Sequence, residues 1–156
     1  MSTDIPLVRR ATGADLAQMA DIINTWIDET DWMPRIHSVE EVASNFVPDL
    51  LDKRIIFVGE IAGEAAGYIS IKPNQMIGGF YLAKAARGQG LGAKLMEAAK
   101  NHFPDFLELG VLEPNVDAKR FYESQGFVEI PEGRKSADQT DDGVPELLMR
   151  WEAPKP

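Results

Sequence analysis

A chain of 156 residues with 44% hydrophobic, 8% aromatic and 26% charged residues has the profile of one globular domain, large enough to close a core without metal or disulfide. The absence of cysteine excludes a disulfide scaffold, a Cys-ligated zinc or iron-sulfur site and any thiol nucleophile. A net charge of -9, from 16 Lys and Arg against 25 Asp and Glu, repels polyanions and argues against nucleic-acid binding.

The charge is uneven: residues 1–78 carry 6 basic and 12 acidic residues, residues 79–156 carry 10 and 13, which places any anion site in the second half. The longest apolar runs are too short to span a bilayer. Met1-Ser2-Thr3-Asp4 has an acid where a signal peptide would carry Lys or Arg, so the expectation is a soluble, cytoplasmic protein away from membranes.

Leu7 to Ala11 reads as a first strand, and Thr12 with Asp15 three residues later has the pattern of a helix capping box. Leu16, Met19, Ala20, Ile23, Trp26 and Ile27 then recur at helical spacing. Ser38 with Glu41 repeats the box and opens a second helix, with Val39, Val42 and Phe46 inward and Pro48 limiting its end. Residues 55–60 and 66–72 are β-rich and read as a hairpin. Ile77 to Leu82 is a further strand, Leu91 to Phe103 an amphipathic helix, and Phe106 to Val111 another strand. Asn115 can cap a short helix to about Gln125, where Gly126 stops it. Phe127 to Ile130 and Glu146 to Trp151 read as strands, separated by a polar surface loop over 131–145. The pattern is one mixed α/β domain over residues 1–156.

The richest segment is Arg87-Gly88-Gln89-Gly90-Leu91-Gly92-Ala93-Lys94, between a strand and an amphipathic helix. A helix N-terminus leaves backbone N–H groups unpaired and carries about half a positive charge, and glycines let an anion approach them closely. A tight turn serving helix packing alone is the plain alternative. Gly88-x-Gly90-x-x-Ala93 also satisfies a relaxed dinucleotide-binding fingerprint, but it comes after at least three strands and lacks the acid about 20 residues on. A Walker A loop is excluded, because Gly-Lys-Ser/Thr is missing.

Arg87-x-x-Gly90-x-Gly92 after a strand resembles the pyrophosphate-binding motif of the GCN5-related N-acetyltransferase (GNAT) superfamily. Asn115, Ala118, Phe121-Tyr122-Glu123 and Gly126-Phe127 resemble a second motif of that family in the right order, and the likeness extends over about residues 5–152. It implies a GNAT fold: one twisted mixed sheet of about six to seven strands flanked by about four helices. It also implies direct acetyl transfer from acetyl-CoA to a primary amine of a small molecule or peptide, without an acyl-enzyme and without a metal.

By motif match, the backbone of Gly88, Gln89, Gly90, Leu91, Gly92 and Ala93 would hold the pyrophosphate, with Arg87 and Lys94 screening it. Phe80, Tyr81 and Leu82 occupy the positions that pair with the pantetheine arm, and Asn115 matches a CoA-contacting position, which is compatible with capping the helix. Tyr122 matches the general acid that protonates the departing thiolate, the alternative being a core aromatic. Glu108 is the nearest carboxylate for a general base, His37 or a water chain being the others. Trp32, Arg35 and His37, between the first two helices, lie where the family builds one wall of its acceptor pocket. A homodimer is compatible with the likeness. The rival classes are an acyl-CoA sensor without turnover and a flavin or nicotinamide oxidoreductase.

Overall fold

The computed structural model describes residues 5–154; Met1 to Asp4, on which the reading of the N-terminus rests, lie outside it. Seven strands run in chain order as β1 (Leu7–Arg10), β2 (Ile55–Ile61), β3 (Glu64–Ile71), β4 (Met76–Leu82), β5 (Phe106–Leu112), β6 (Val128–Lys135) and β7 (Glu146–Glu152). The helices are α1 (Leu16–Glu29), α2 (Val39–Ala43), α3 (Pro48–Lys53), α4 (Leu91–His102) and α5 (Val116–Ser124). The strands form one mixed sheet in the order β1-β2-β3-β4-β5-β7-β6.

Every neighbouring pair in the sheet is antiparallel except β4 and β5, which run parallel. Their pairing lasts for two residues, Met76 opposite Glu108 and Ile77 opposite Leu109. From Gly78 onward β4 has no ladder partner on its β5 side, so the sheet opens at its centre. This opening positions everything that follows.

Period-2 alternation along each strand sends side chains to two cores. On one face Leu16, Met19 and Ile22 of α1 pack against Ile56, Val58 and Tyr68. On the other, α4 buries Leu91, Leu95, Met96 and Ala99 against Ile69, Ile71, Leu107, Leu109 and Met149.

 Emptying one such position, as in Leu95→Ala, costs about 2–5 kcal/mol. Phe121 and Tyr122 of α5 pack at the margin of this second core.

The capping box at Thr12 is present, and Asp15 does more than cap. Its carboxylate accepts the Thr12 backbone N–H at 2.8 Å and takes two guanidinium nitrogens of Arg9 at 2.8 and 2.9 Å. Arg9 Nε also donates to Glu60 at 2.7 Å, which ties β1, β2 and the start of α1 together. The Arg9 hydrogen bonds hold the buried Asp15 carboxyl below its ordinary range.

Two expectations change. The second helix stops at Ala43, and Pro48 opens α3 at its first turn, where a missing N–H costs nothing and the fixed φ suits a helix. Strand β6 continues to Lys135 through part of the expected loop, with its pairing to β7 interrupted between Ile130 and Lys135. Pro131, which cannot donate, falls in that interruption. Among the described residues no helix is long and apolar enough to cross a membrane.

Candidate active site

After β4 the chain makes a short turn at Lys84–Ala86 and enters the glycine segment. Gly88 and Gly90 have φ of 78° and 80°. No heavy atom lies within 4 Å of where a Cβ would sit at either, so left-handed backbone rather than crowding calls for glycine. Lys94 is the first α4 residue whose N–H reaches a backbone carbonyl, that of Gly90 at 3.2 Å. Among the described residues, the N–H groups of Gly88 to Ala93 therefore converge at the helix end without a protein acceptor.

The side chains here pin the turn. Arg87 donates to the Glu29 carboxylate at 2.5 Å and to the Leu82 carbonyl at 3.2 Å, and Gln89 donates to the Ala85 carbonyl at 2.5 Å. Lys94 reaches the Pro6 carbonyl at 3.3 Å. Leu91 is fully buried, so it can offer an anion only its backbone.

Three cavities follow one another through the opened sheet. On the α4 and α5 side, one of about 400 Å³ is lined by Phe80, Leu82, Gly88, Gly92, Asn115 and Tyr122, among others. A narrow space of about 90 Å³ lies between Gly78–Tyr81 of β4 and Leu109–Leu112 of β5. On the α1 side, a cavity of about 540 Å³ is walled by Met19, Ile23, Ile27, Phe46, Leu50 and Tyr68, with Arg54, Asp141 and Asp142 supplying charge. Tyr81 lines all three.

The chain has three tyrosines, Tyr68, Tyr81 and Tyr122, and all stand around this passage. Among the described residues none of their hydroxyls has a hydrogen-bond partner. Tyr122 packs its ring against Phe80, Phe121 and Phe127 at centroid distances of 6.1, 5.7 and 5.8 Å. Burial pushes its hydroxyl well above the ordinary tyrosine range, with Tyr81 adding to the shift. Burial, then the charge of Asp142, pushes Tyr81 to about 12. Both phenols are neutral at physiological pH and can donate a proton.

Asn115 accepts the Ala118 N–H at 3.3 Å and also lines the cavity, so capping and wall coexist in one side chain. Glu108 stands elsewhere. It lies in the closed part of the β4–β5 pair, opposite Met76 and Arg150, with its carboxylate 3.6 Å from Arg150 Nη1, and it lines none of these cavities.

Of the three residues expected on the acceptor wall, His37 alone lines the large cavity, where its loop also contributes Met33, Pro34 and Ile36. Trp32 sits edge-on to Trp26 at 5.8 Å. Arg35 staples the loop to α1 through Asp28 at 2.9 Å and through the side chain and carbonyl of Asn24 at 2.9 and 3.0 Å. Sequence reasoning missed Arg54, Ser70, Asp141 and Asp142. No local pattern marks them, because the fold gathers them from the end of α3, from β3 and from the loop before β7.

A mixed sheet opened between two parallel strands, with an anion-ready helix end beside the opening, is the arrangement that the GNAT resemblance of the sequence implies. Residues 19–127 match the model of the acetyltransferase (GNAT) family, and the chain belongs to that family. It is 25% identical over 143 residues to the peptidyl-lysine N-acetyltransferase YiaC of Escherichia coli strain K12, covering 88% of this chain and 93% of the relative. The ribosomal-protein-alanine N-acetyltransferase from Brucella melitensis superposes with a TM-score of 0.71 at 26% identity, covering 94% of this chain and 99% of that one. The fold is shared as well with yncA from Salmonella typhimurium, solved with its cofactor acetyl-CoA, at a TM-score of 0.73 and 20% identity over 97% of this chain and 96% of that one.

Proposed function

We propose that the protein transfers the acetyl group of acetyl-CoA directly to a primary amine of a small molecule or peptide while both substrates are bound. One observation carries this reading. The free N–H groups of Gly88 to Ala93 and the α1-side cavity lie on opposite sides of the sheet, joined through the opening where Tyr81 and Tyr122 stand.

The glycine turn fits a diphosphate: its amides are unpaired, its glycines leave the approach clear, and the helix end adds partial positive charge. Lys94, in the first turn of α4, adds charge nearby, while Arg87 is paired with Glu29 and shapes the turn. The unpaired edge of β4 from Gly78 to Leu82 offers backbone partners to the extended arm of the cosubstrate, and a backbone N–H there can polarise the thioester carbonyl. Acetyl-CoA supplies an activated acyl group on a thiolate leaving group.

In the transfer, the amine nitrogen bonds to the carbonyl carbon and the carbon–sulfur bond breaks. Tyr122, a neutral phenol, gives its proton to the departing sulfur. The amine's proton leaves toward the large cavity, whose lining includes His37, Asp141, Asp142, Tyr68 and Tyr81. Glu108, held by Arg150 away from the opening, is left out of this scheme.

The test is heat protection by acetyl-CoA together with thiol release in the presence of pooled amines. At a hundredfold excess over its dissociation constant acetyl-CoA should stabilise the protein by about 2.7 kcal/mol, and thiol should appear only with amine. Protection without thiol release from any amine would overturn the reading in favour of a binding module.

A further inference from the structure

The large cavity holds one arginine whose charge nothing in the protein answers. Arg54 lines it, half-buried, and among the described residues its one side-chain hydrogen bond is to the Ser70 hydroxyl at 3.3 Å. Among the described residues no carboxylate comes within ion-pair distance of it; Arg10 and Arg120 also have none but are exposed to solvent, and Arg9, Arg35, Arg87, Arg134 and Arg150 are paired. Leaving a guanidinium partly desolvated and unpaired is unfavourable, and a ligand carboxylate matches its fork.

The surroundings keep this place open. A Cβ on Gly78 would stand 2.7 Å from Arg54 Nη1, so glycine gives the guanidinium its room. Ser70 is 3% exposed, a buried hydroxyl between Ile69 and Ile71, and among the described residues the hydroxyl of the buried Tyr68, which lines the cavity, has no hydrogen-bond partner.

Gly78 also lines the opening between β4 and β5. At a strand rise of about 3.3 Å per residue, Gly79 lies one step farther along, which is the scale of about 3 Å that separates the amine nitrogen and the carboxylate of one α-amino acid. Among the described residues neither Asp141 nor Asp142 forms an ion pair with Arg54, and Asp142 acts on Tyr81 and accepts the Val144 N–H at 2.9 Å. Much of the remaining wall is apolar, including Met19, Ile23, Ile27, Phe46 and Leu50.

Resting on the acetyl-transfer reading above, we propose that Arg54 and Ser70 bind the carboxylate of the acceptor, and that the acceptor is a free α-amino acid with an apolar side chain. The amine then faces the opening and the side chain enters the apolar wall. This differs from the peptide acceptors in the names of YiaC and the Brucella enzyme.

The experiment compares thiol release with L-leucine, L-methionine and L-phenylalanine against L-leucinamide, a tripeptide beginning with leucine, and Nα-acetyl-lysinamide. The free acids should exceed the amide and peptides in kcat/KM by at least about 10-fold. Arg54→Met should lower kcat/KM for the acids by about 10- to 100-fold, mainly through KM, and erase the preference over the amide, as loss of a charge-assisted pair predicts. Arg54→Lys should recover part of it, and heat protection by acetyl-CoA should persist in both variants. Equal use of leucine and leucinamide by the unaltered protein, or an undiminished preference in a folded Arg54→Met, would overturn the inference. Thiol release with peptides but not acids would overturn it while leaving acetyl transfer standing; release with none of these or any pooled amine would overturn both.

Discussion

The two sides of the opened sheet are built by different means. On the α4 side the candidate cosubstrate site is mostly backbone: one contiguous turn supplies left-handed glycines and free N–H groups, while Arg87 and Gln89 spend their donors holding the turn in shape. On the α1 side the chemistry is in side chains drawn from distant elements: Arg54 from the end of α3, Tyr68 and Ser70 from β3, and Asp141 and Asp142 from the loop before β7. A backbone site recognises what all such reactions share, and a side-chain site can be altered residue by residue to choose the acceptor.

The largest effect should fall where the two sides meet. Tyr122→Phe removes one hydroxyl and keeps the ring against Phe80 and Phe127. Turnover at saturating acetyl-CoA should drop by about 10² to 10⁴, with heat protection retained. Because burial raises this pKa, the acid form persists above the ordinary tyrosine value, so this group should cause no loss of rate below about pH 10. Unchanged turnover in Tyr122→Phe, with chemistry rate-limiting, would make Tyr122 a packing residue.

Next comes the backbone side. Gly90→Asp puts a carboxylate into empty space beside the free amides, and Asp tolerates left-handed backbone better than most residues. Acetyl-CoA affinity should fall by about 100-fold or more in calorimetry, with a smaller cost to the fold of the free protein. Undiminished affinity would break the contrast between a backbone-built and a side-chain-built site.

A third change lies outside both cavities and should separate stability from catalysis. Asp15→Asn leaves Arg9 without its bidentate partner and should cost about 1.5–3 kcal/mol in denaturant unfolding. The Asp15 carboxyl is held low when folded, so its stabilisation is full above the unfolded value of about 3.9 and is lost as pH falls through the lower folded value. The variant should lack that part of the acid dependence, and its KM for either substrate should match the parent. The smallest effect belongs to Glu108→Gln: kcat/KM should stay within about twofold, and a large loss would return Glu108 to the reaction.

The same contrast explains what was legible in the sequence. The glycine segment, the helix faces and the Asn115 cap are local patterns, readable because a turn or a helix is specified by neighbours in the chain. The parting of β4 from β5 is a matter of register between strands separated by α4, and nothing in Ile77-Gly78-Gly79 or Leu109-Gly110 announces it. Trp32 and Arg35 have the chemistry of recognition residues, but Trp26, Asn24 and Asp28 of α1 satisfy them. Arg54 carries no local signal, since its meaning comes from Gly78 and Ser70 beside it. Pro48 shows the limit of a punctuation rule, because proline ends one helix and begins another with equal ease.

The central claim is that both substrates occupy the molecule together, one on each side of the opened sheet, and react through it. Initial rates measured over a grid of acetyl-CoA and acceptor concentrations test this most directly. The account predicts double-reciprocal lines that intersect, as a ternary complex requires. Parallel lines, with a stable acetyl-protein formed in the absence of acceptor, would contradict it.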